Sequence, residues 1–237
     1  MDDDLAFELP ETKSLSVAIA DRLAALIQAG DLKPGQRLVQ TDLAAQFNVS
    51  RVAVRDALYT LRQGGLAINV PRKGVIVRQV SCRTVRELFA IRGAVEGLAV
   101  RLACPHLTDK ELDRIAQIIQ EQEALAGQAD ADGLLDKDWE FHSAIYDRCD
   151  NASLNEIIVG LWSRIRQARN LAHAQVSWGH QWGLQSAARH RRILQALRER
   201  RPDEAERLVI ETIAQAEEEL LAGLRAAGWG QDDDDCL

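Results

Sequence analysis

The sequence predicts a mainly α protein. An N-terminal winged helix-turn-helix, three helices plus a β-hairpin wing, is followed by an all-α bundle of six or seven helices. Three observations predict this. A short helix, a tight turn and a second, capped helix follow one another over 41–62. Two β-rich runs within 64–77 flank a turn holding proline, two basic residues and glycine. From Ser81 onward the apolar residues recur at helical spacing.

Residues 1–13 are acidic, contain Pro10, and read as a flexible arm. Ser16 to Ala29 reads as an amphipathic helix, with Val17, Ile19, Ala20, Leu23, Leu26 and Ile27 apolar. Gly30 ends it, and Pro34-Gly35 turns the chain. Thr41 to Phe47 is a short helix with Leu43, Ala44 and Phe47 on its apolar face. Asn48 and Val49 make the turn. Ser50 is a good N-cap, because its hydroxyl accepts from an orphan backbone N–H of the first turn. In the helix that follows, Val54, Leu58 and Leu61 face inward. Arg51 and Arg55 lie near its start on a different face. Guanidinium groups placed there reach phosphates or guanine edges when a helix end enters a DNA major groove. The hairpin after it is a wing, with Arg72 and Lys73 at a tip able to reach a DNA backbone.

The second half divides into helices by its breakers. Thr84 to Ala103 closes before Pro105. Thr108-Asp109-Lys110-Glu111 has the pattern of a capping box and opens a helix to about Ala126. Gly127 to Gly133 reads as a loop, Leu134 to Arg148 as a helix, and Asp150-Asn151 as a break. A long helix covers Ala152 to Ala172. Val176 to Gly183, with two glycines and two tryptophans, reads as a loop or bend. Leu184 to Arg200 is helical, and Pro202 starts the last helix, to about Ala226. The units are therefore an arm at 1–13, a winged domain at 14–80, a helical domain at 81–227 and an acidic tail at 228–237.

Composition narrows the class. The 237 residues are 46% hydrophobic, enough for ordinary cores. No apolar run approaches the roughly 20 residues of a spanning helix, and the acidic start Met1-Asp2-Asp3-Asp4 is unlike a secretory signal. The expectation is a cytoplasmic protein with no membrane partner. Cys82, Cys104, Cys149 and Cys236 are scattered, so neither a disulfide framework nor a zinc–cysteine site is expected. The net charge of −7 opposes DNA binding only if read globally. Between Arg51 and Arg78 stand Arg51, Arg55, Arg62, Arg72, Lys73 and Arg78 against the one acid Asp56. Phosphate neutralisation depends on that local sum.

The ordered pattern Leu32-Lys33-Pro34-Gly35-Gln36-Arg37-Leu38, Leu43-Ala44, Val49-Ser50-Arg51, Val54-Arg55-Asp56-Ala57-Leu58, Leu61 and Gly65-Leu66 resembles the GntR family of bacterial transcription regulators over residues 15–79. Departures are mild: Ala53 replaces a common proline and Asp56 a common glutamate, while Thr41 stands where some members carry a DNA-contacting arginine. The resemblance implies that Ser50, Arg51 and Arg55 meet an operator, with Arg72, Lys73 and Gly74 bringing the wing close. The helical half resembles the FCD domain, the ligand-sensing bundle of the FadR subfamily. Its markers are Glu87 to Arg92, Val95-Glu96, Asp138-Trp139-Glu140-Phe141-His142 and Arg189 to Ile193.

Asp138 and His142, at i and i+4, share one helical face with Cβ atoms about 6 Å apart. A carboxylate and an imidazole so placed can chelate one divalent metal. Taken alone the pair is an ordinary surface motif. The resemblance adds His190 from a later helix and implies a zinc or nickel site of Asp138, His142 and His190 in a central cavity. Its fourth ligand falls on Thr212, a poor donor, with His173 or His180 as substitutes. Arg92 corresponds to a family arginine that faces the cavity and pairs with an acidic effector. An Arg92–Glu96 surface pair fits the spacing equally well. The expected function is a repressor that binds a palindromic DNA operator as a homodimer and responds to a small organic acid, not an enzyme. The alternatives are a metal-dependent hydrolase using Asp138, His142 and His190, and a purely dimerising helical scaffold.

Overall fold

The computed structural model describes residues 14–128, 130–173 and 179–228. The arm at 1–13, most of the acidic tail and the side chains of His173 and His180 lie outside the described residues. Two compact units divide the chain close to Arg78.

In the first unit, α1 (Leu15–Gln28), α2 (Gln40–Phe47) and α3 (Arg51–Gln63) precede β1 (Ala67–Val70) and β2 (Gly74–Val77). The helices close on a core that includes Leu23, Ile27, Leu43, Val54, Leu58, Leu61 and Val77. Asn48 ends α2 in the left-handed region at φ 54°, a conformation asparagine tolerates, and so allows the tight turn into α3. Ser50 caps α3, accepting from the Ala53 amide at 3.2 Å. Val54, Ala57, Leu58 and Leu61 are its buried stripe, each large side chain worth about 1.5–3 kcal/mol of burial. The strands pair antiparallel from Ala67↔Val77 to Val70↔Gly74. Arg37 bridges Ile76, extending the wing by one short segment.

The second unit holds six helices among the described residues: α4 (Cys82–Ala103), α5 (Asp109–Ala126), α6 (Ala131–Tyr146), α7 (Ala152–His173), α8 (Gly179–Arg198) and α9 (Pro202–Ala226). Thr108 and Glu111 form the reciprocal capping box predicted for α5. α9 packs along α4, and α5 packs between α6 and α8.

Two boundaries differ from the sequence expectation. Ala131 to Gly133 are helical, because Asp130 accepts from the Gly133 amide at 3.0 Å and starts α6 early. Gly179 to Gly183 belong to α8 rather than to a loop. Gly183 is there for proximity: a Cβ on it would lie 2.7 Å from the Ala126 Cβ and 2.9 Å from a Leu134 methyl. A glycine that reads as a breaker serves instead as a helix–helix contact.

Candidate DNA-binding surface and buried polar centre

In the winged unit, Ser50, Arg51, Arg55, Arg62, Arg72, Lys73 and Gly74 are all exposed. Arg37, Thr41, Arg51, Asn69, Lys73 and Gly74 line one concave, mainly polar surface of about 320 Å³. The start of α3 and the tip of the wing are thus neighbours. Arg55 and Arg62 border an adjoining hollow with Tyr59, and Arg55 lies 3.2 Å from Asp56. The wing turn runs Val70-Pro71-Arg72-Lys73, closed by the Lys73 amide donating to the Val70 carbonyl at 3.1 Å. Arg72 carries φ 65° and Gly74 φ 76°. Nothing lies within 4 Å of where a Gly74 Cβ would be, so its requirement is conformational. Arg37 and Asn69 were not among the predicted site residues. Arg37 reaches this surface because the segment before α2 bridges the wing, a contact that local patterning does not reveal, and Asn69 because it is an exposed residue of β1.

The helical unit buries a polar centre. Asp138 and His142 project from α6 and His190 from α8, and one ligand-capable atom from each lies within 4.8 Å of the others. All three are buried, with His190 fully so. His142 Nδ1 lies 2.9 Å from the Tyr146 hydroxyl, which donates to Glu96 Oε2 at 2.7 Å. The Tyr146 proton is committed to Glu96, so His142 must donate from Nδ1. His190 Nδ1 lies 2.9 Å from Gln122 Oε1, and Gln122 donates through Nε2 to Ser186 Oγ at 3.2 Å. That assignment makes the Gln122 oxygen an acceptor, so His190 also donates from Nδ1. Both imidazoles therefore keep their Nε2 lone pair. His190 Nε2 has no hydrogen-bond partner among the described residues and lies 3.5 Å from Asp138 Oδ1. An orphaned buried lone pair beside a carboxylate, as at His190 Nε2, is what a divalent cation requires, and partners at the far ring nitrogen set the tautomer for it. The three residues fit a metal.

Burial keeps both rings neutral. It pushes His190 down to about 4 against the opposing pull of Asp138, and His142 well below its ordinary value. For Asp138, burial is the largest single influence and works toward protonation, but Arg169 together with His142 and His190 outweighs it and holds the carboxyl below the usual carboxylate range. Arg169 Nη1 donates to Asp138 Oδ2 at 2.6 Å and Ser186 Oγ to Oδ1 at 3.1 Å. Phe141 stacks on His190 with centroids 3.7 Å apart.

Arg92 is buried, which overturns the surface-pair alternative while keeping its partner: Nε and Nη2 donate to the Glu96 carboxylate at 2.5 and 3.2 Å. Trp162 Nε1 adds a third donor to Glu96 at 2.9 Å. The anion that a buried Arg92 demands is thus supplied by the chain itself, although Arg92 Nη1 has no hydrogen-bond partner among the described residues. Thr212 lines the same chamber, its hydroxyl donating to the Leu208 carbonyl at 2.8 Å. The chamber, also walled by Arg92, Asp138, His142, Arg169 and Ser186, measures only about 10 Å³. That is the size of a single water or ion, not of an organic acid. Arg169, Gln122, Ser186, Tyr146 and Trp162 escaped the sequence reading. They stand on four different helices, whereas Glu96 carried a signal, its i+4 spacing from Arg92.

A winged helix-turn-helix with a basic rim, followed along the chain by a helical bundle around a buried polar centre, is the architecture of a transcription regulator. Residues 15–77 match the gntR family of bacterial regulatory proteins, and residues 87–215 match the FCD domain. The chain belongs to the GntR family and carries an FCD ligand-binding domain. It is 31% identical to the Nta operon transcriptional regulator of Aminobacter aminovorans over 82% of this chain and 89% of that one. It is 26% identical to the HTH-type transcriptional repressor RspR of Escherichia coli over 80% and 81% of the two chains. Its fold matches the E. coli McbR/YncC structure with TM-score 0.77 and 25% identity, covering 89% of this chain and 99% of that one. These relatives are DNA-binding regulators, not enzymes, which removes the ground for the hydrolase alternative. No helix among the described residues is long and apolar enough to cross a membrane.

Proposed function

We propose that this regulator is a repressor that binds a palindromic operator as a homodimer and is controlled by a small organic acid and a divalent metal, zinc or nickel. The observation that carries the DNA half is the shared concave surface on which Arg51 and Lys73 stand together. Each α3 start enters a major groove, Ser50, Arg51 and Arg55 contacting it, while Arg72, Lys73 and Gly74 bring the wing onto the backbone. Dimerisation is supported by an apolar stripe on α4: Ile91, Leu98 and Leu102 fall on one helical face, yet are 48%, 41% and 36% exposed. Ile210 of α9 borders it at 41%. The sense of repression follows the name of the relative RspR.

The metal falls to Asp138, His142 and His190. Thr212 leaves a coordination position for water or, once the chamber of about 10 Å³ has widened, for an effector carboxylate. Arg92, with one unpartnered nitrogen, is the residue proposed to meet that carboxylate. Effector and metal then alter the equilibrium between arrangements of the two winged units and hence operator affinity.

The test is a salt-dependent gel shift on the promoter beside the protein's own gene. Arg51→Ala and Arg55→Ala should each weaken binding by about 1–3 kcal/mol if they read bases while leaving the melting temperature unchanged. Unaltered shifts for both variants would discard the assignment.

A further inference from the structure

Four formally charged side chains are buried in the helical unit among the described residues: Arg92, Glu96, Asp138 and Arg169. Arg92 neutralises Glu96, Arg169 neutralises Asp138, and the histidines are neutral. The centre therefore sums to zero without a metal. A divalent cation on Asp138, His142 and His190 raises that sum by two. It also competes for the Asp138 carboxylate, which Arg169 holds through Oδ2. A guanidinium left without an anion in such a place is costly.

Arg169 stands where an anion could reach it. It lines the small chamber with Asp138 and His142, and it also lines a separate groove of about 170 Å³ along α6 and α7. Leu135, Trp139, Val159, Trp162 and Arg166 complete that groove's α6 and α7 walls. The Arg169 guanidinium carbon lies 5.5 Å from the ring centroids of both Trp162 and Trp182. The groove is mainly apolar, with two arginines at hand and far more room than the chamber.

We propose that Arg169 is the stand-in cation of the metal-free protein. Metal binding transfers Asp138 from Arg169 to the ion, and the released guanidinium turns the α6/α7 groove into a site for a carboxylate on a flat apolar body. Metal and carboxylate then bind with positive coupling, each strengthening the other by the same factor. The proposal rests on the metal reading above.

The test uses the full chain stripped with EDTA, with zinc and benzoate as probes and acetate as the apolar-free control. Zinc affinity is measured by chelator competition, benzoate affinity by titration calorimetry, and the Arg169 environment by tryptophan fluorescence. In the unmutated protein zinc should strengthen benzoate binding at least about 5-fold, within the usual range of coupling, and acetate less. Arg169→Gln should bind zinc about 10-fold more tightly, having lost its competitor, and lose the coupling. Zinc should shift the fluorescence of the unmutated protein, and Arg169→Gln should lack most of that shift. If Arg169→Gln fails to fold, the coupling in the unmutated chain still decides. Zinc binding with no effect on benzoate overturns the proposal and leaves the metal site standing. Failure of both zinc and nickel to bind overturns the site itself and the proposal with it.

Discussion

Arg72 shows what one residue gives up for position. Its φ of 65° is a left-handed conformation at the third residue of a turn whose second is Pro71, where a type II turn favours glycine. A side chain there carries about 1 kcal/mol of backbone strain. Arg72→Gly should raise the melting temperature by a few degrees, and it should lower the salt dependence of operator binding by about one counterion if the guanidinium meets a phosphate. An unchanged salt slope removes Arg72 from the interface. A second residue-scale prediction concerns acid. Unfolding returns His142 and His190 to an ordinary pKa near 6.5, while in the folded chain His190 stays neutral down to about 4. The unfolded state therefore binds more protons in this window, and stability rises with pH through it. Metal-free protein should lose about 3 kcal/mol from His190 between pH 6.5 and 4, with His142 adding to the loss in the same direction. His190→Gln should flatten that slope in denaturant titrations, and an unchanged slope would refute the buried neutral ring.

At the scale of the element, α8 is defined by contact rather than by propensity. Gly183→Ala gains up to about 1 kcal/mol of helix propensity, but places its Cβ 2.7 Å from that of Ala126, which cannot swing aside. Overpacking of this kind costs about 1–3 kcal/mol, so the melting temperature should fall. Gly160 on α7 has nothing within 4 Å of its Cβ position, and Gly160→Ala should raise it by a comparable propensity gain. Equal responses from the two substitutions would contradict the packing described for α8. The helices with clear chemical punctuation, α3 behind Ser50 and α5 behind its capping box, were legible from sequence because a cap acts within one turn. The start of α8 was not, since glycine reads the same whether it breaks a helix or admits a neighbour.

For the whole molecule, the α4 stripe is the feature that a single chain leaves unused. Substitution of Ile91 and Leu98 together by aspartate should yield monomers in sedimentation while circular dichroism stays helical. Operator affinity should drop at least about 100-fold, because joining two half-site readers raises avidity by about 10²–10⁴. A double variant that still sediments as a dimer would place the partner surface elsewhere. The acidic net charge of −7 does not oppose DNA binding, since Arg51, Arg55, Arg62, Arg72 and Lys73 gather on the winged unit and the acidic excess lies elsewhere.

The sequence by itself determined the element order, the two-part organisation, the capped α3 helix with Arg51 and Arg55 beside its start, and the pairing of Asp138 with His142. Each of these depends on spacing along one helix or one turn, where covalent geometry sets the distances. His190 meets that pair as the family resemblance implied, though no spacing along the chain records it; tertiary structure alone decided that Arg169 holds Asp138, that Tyr146 and Gln122 set the two imidazole tautomers, and that Arg92 and Glu96 form an internal rather than a surface pair. Those relations join residues 30 to 70 positions apart or turn a helix face inward. Burial and hydrogen-bond satisfaction select them once the helices pack, and no local pattern records them.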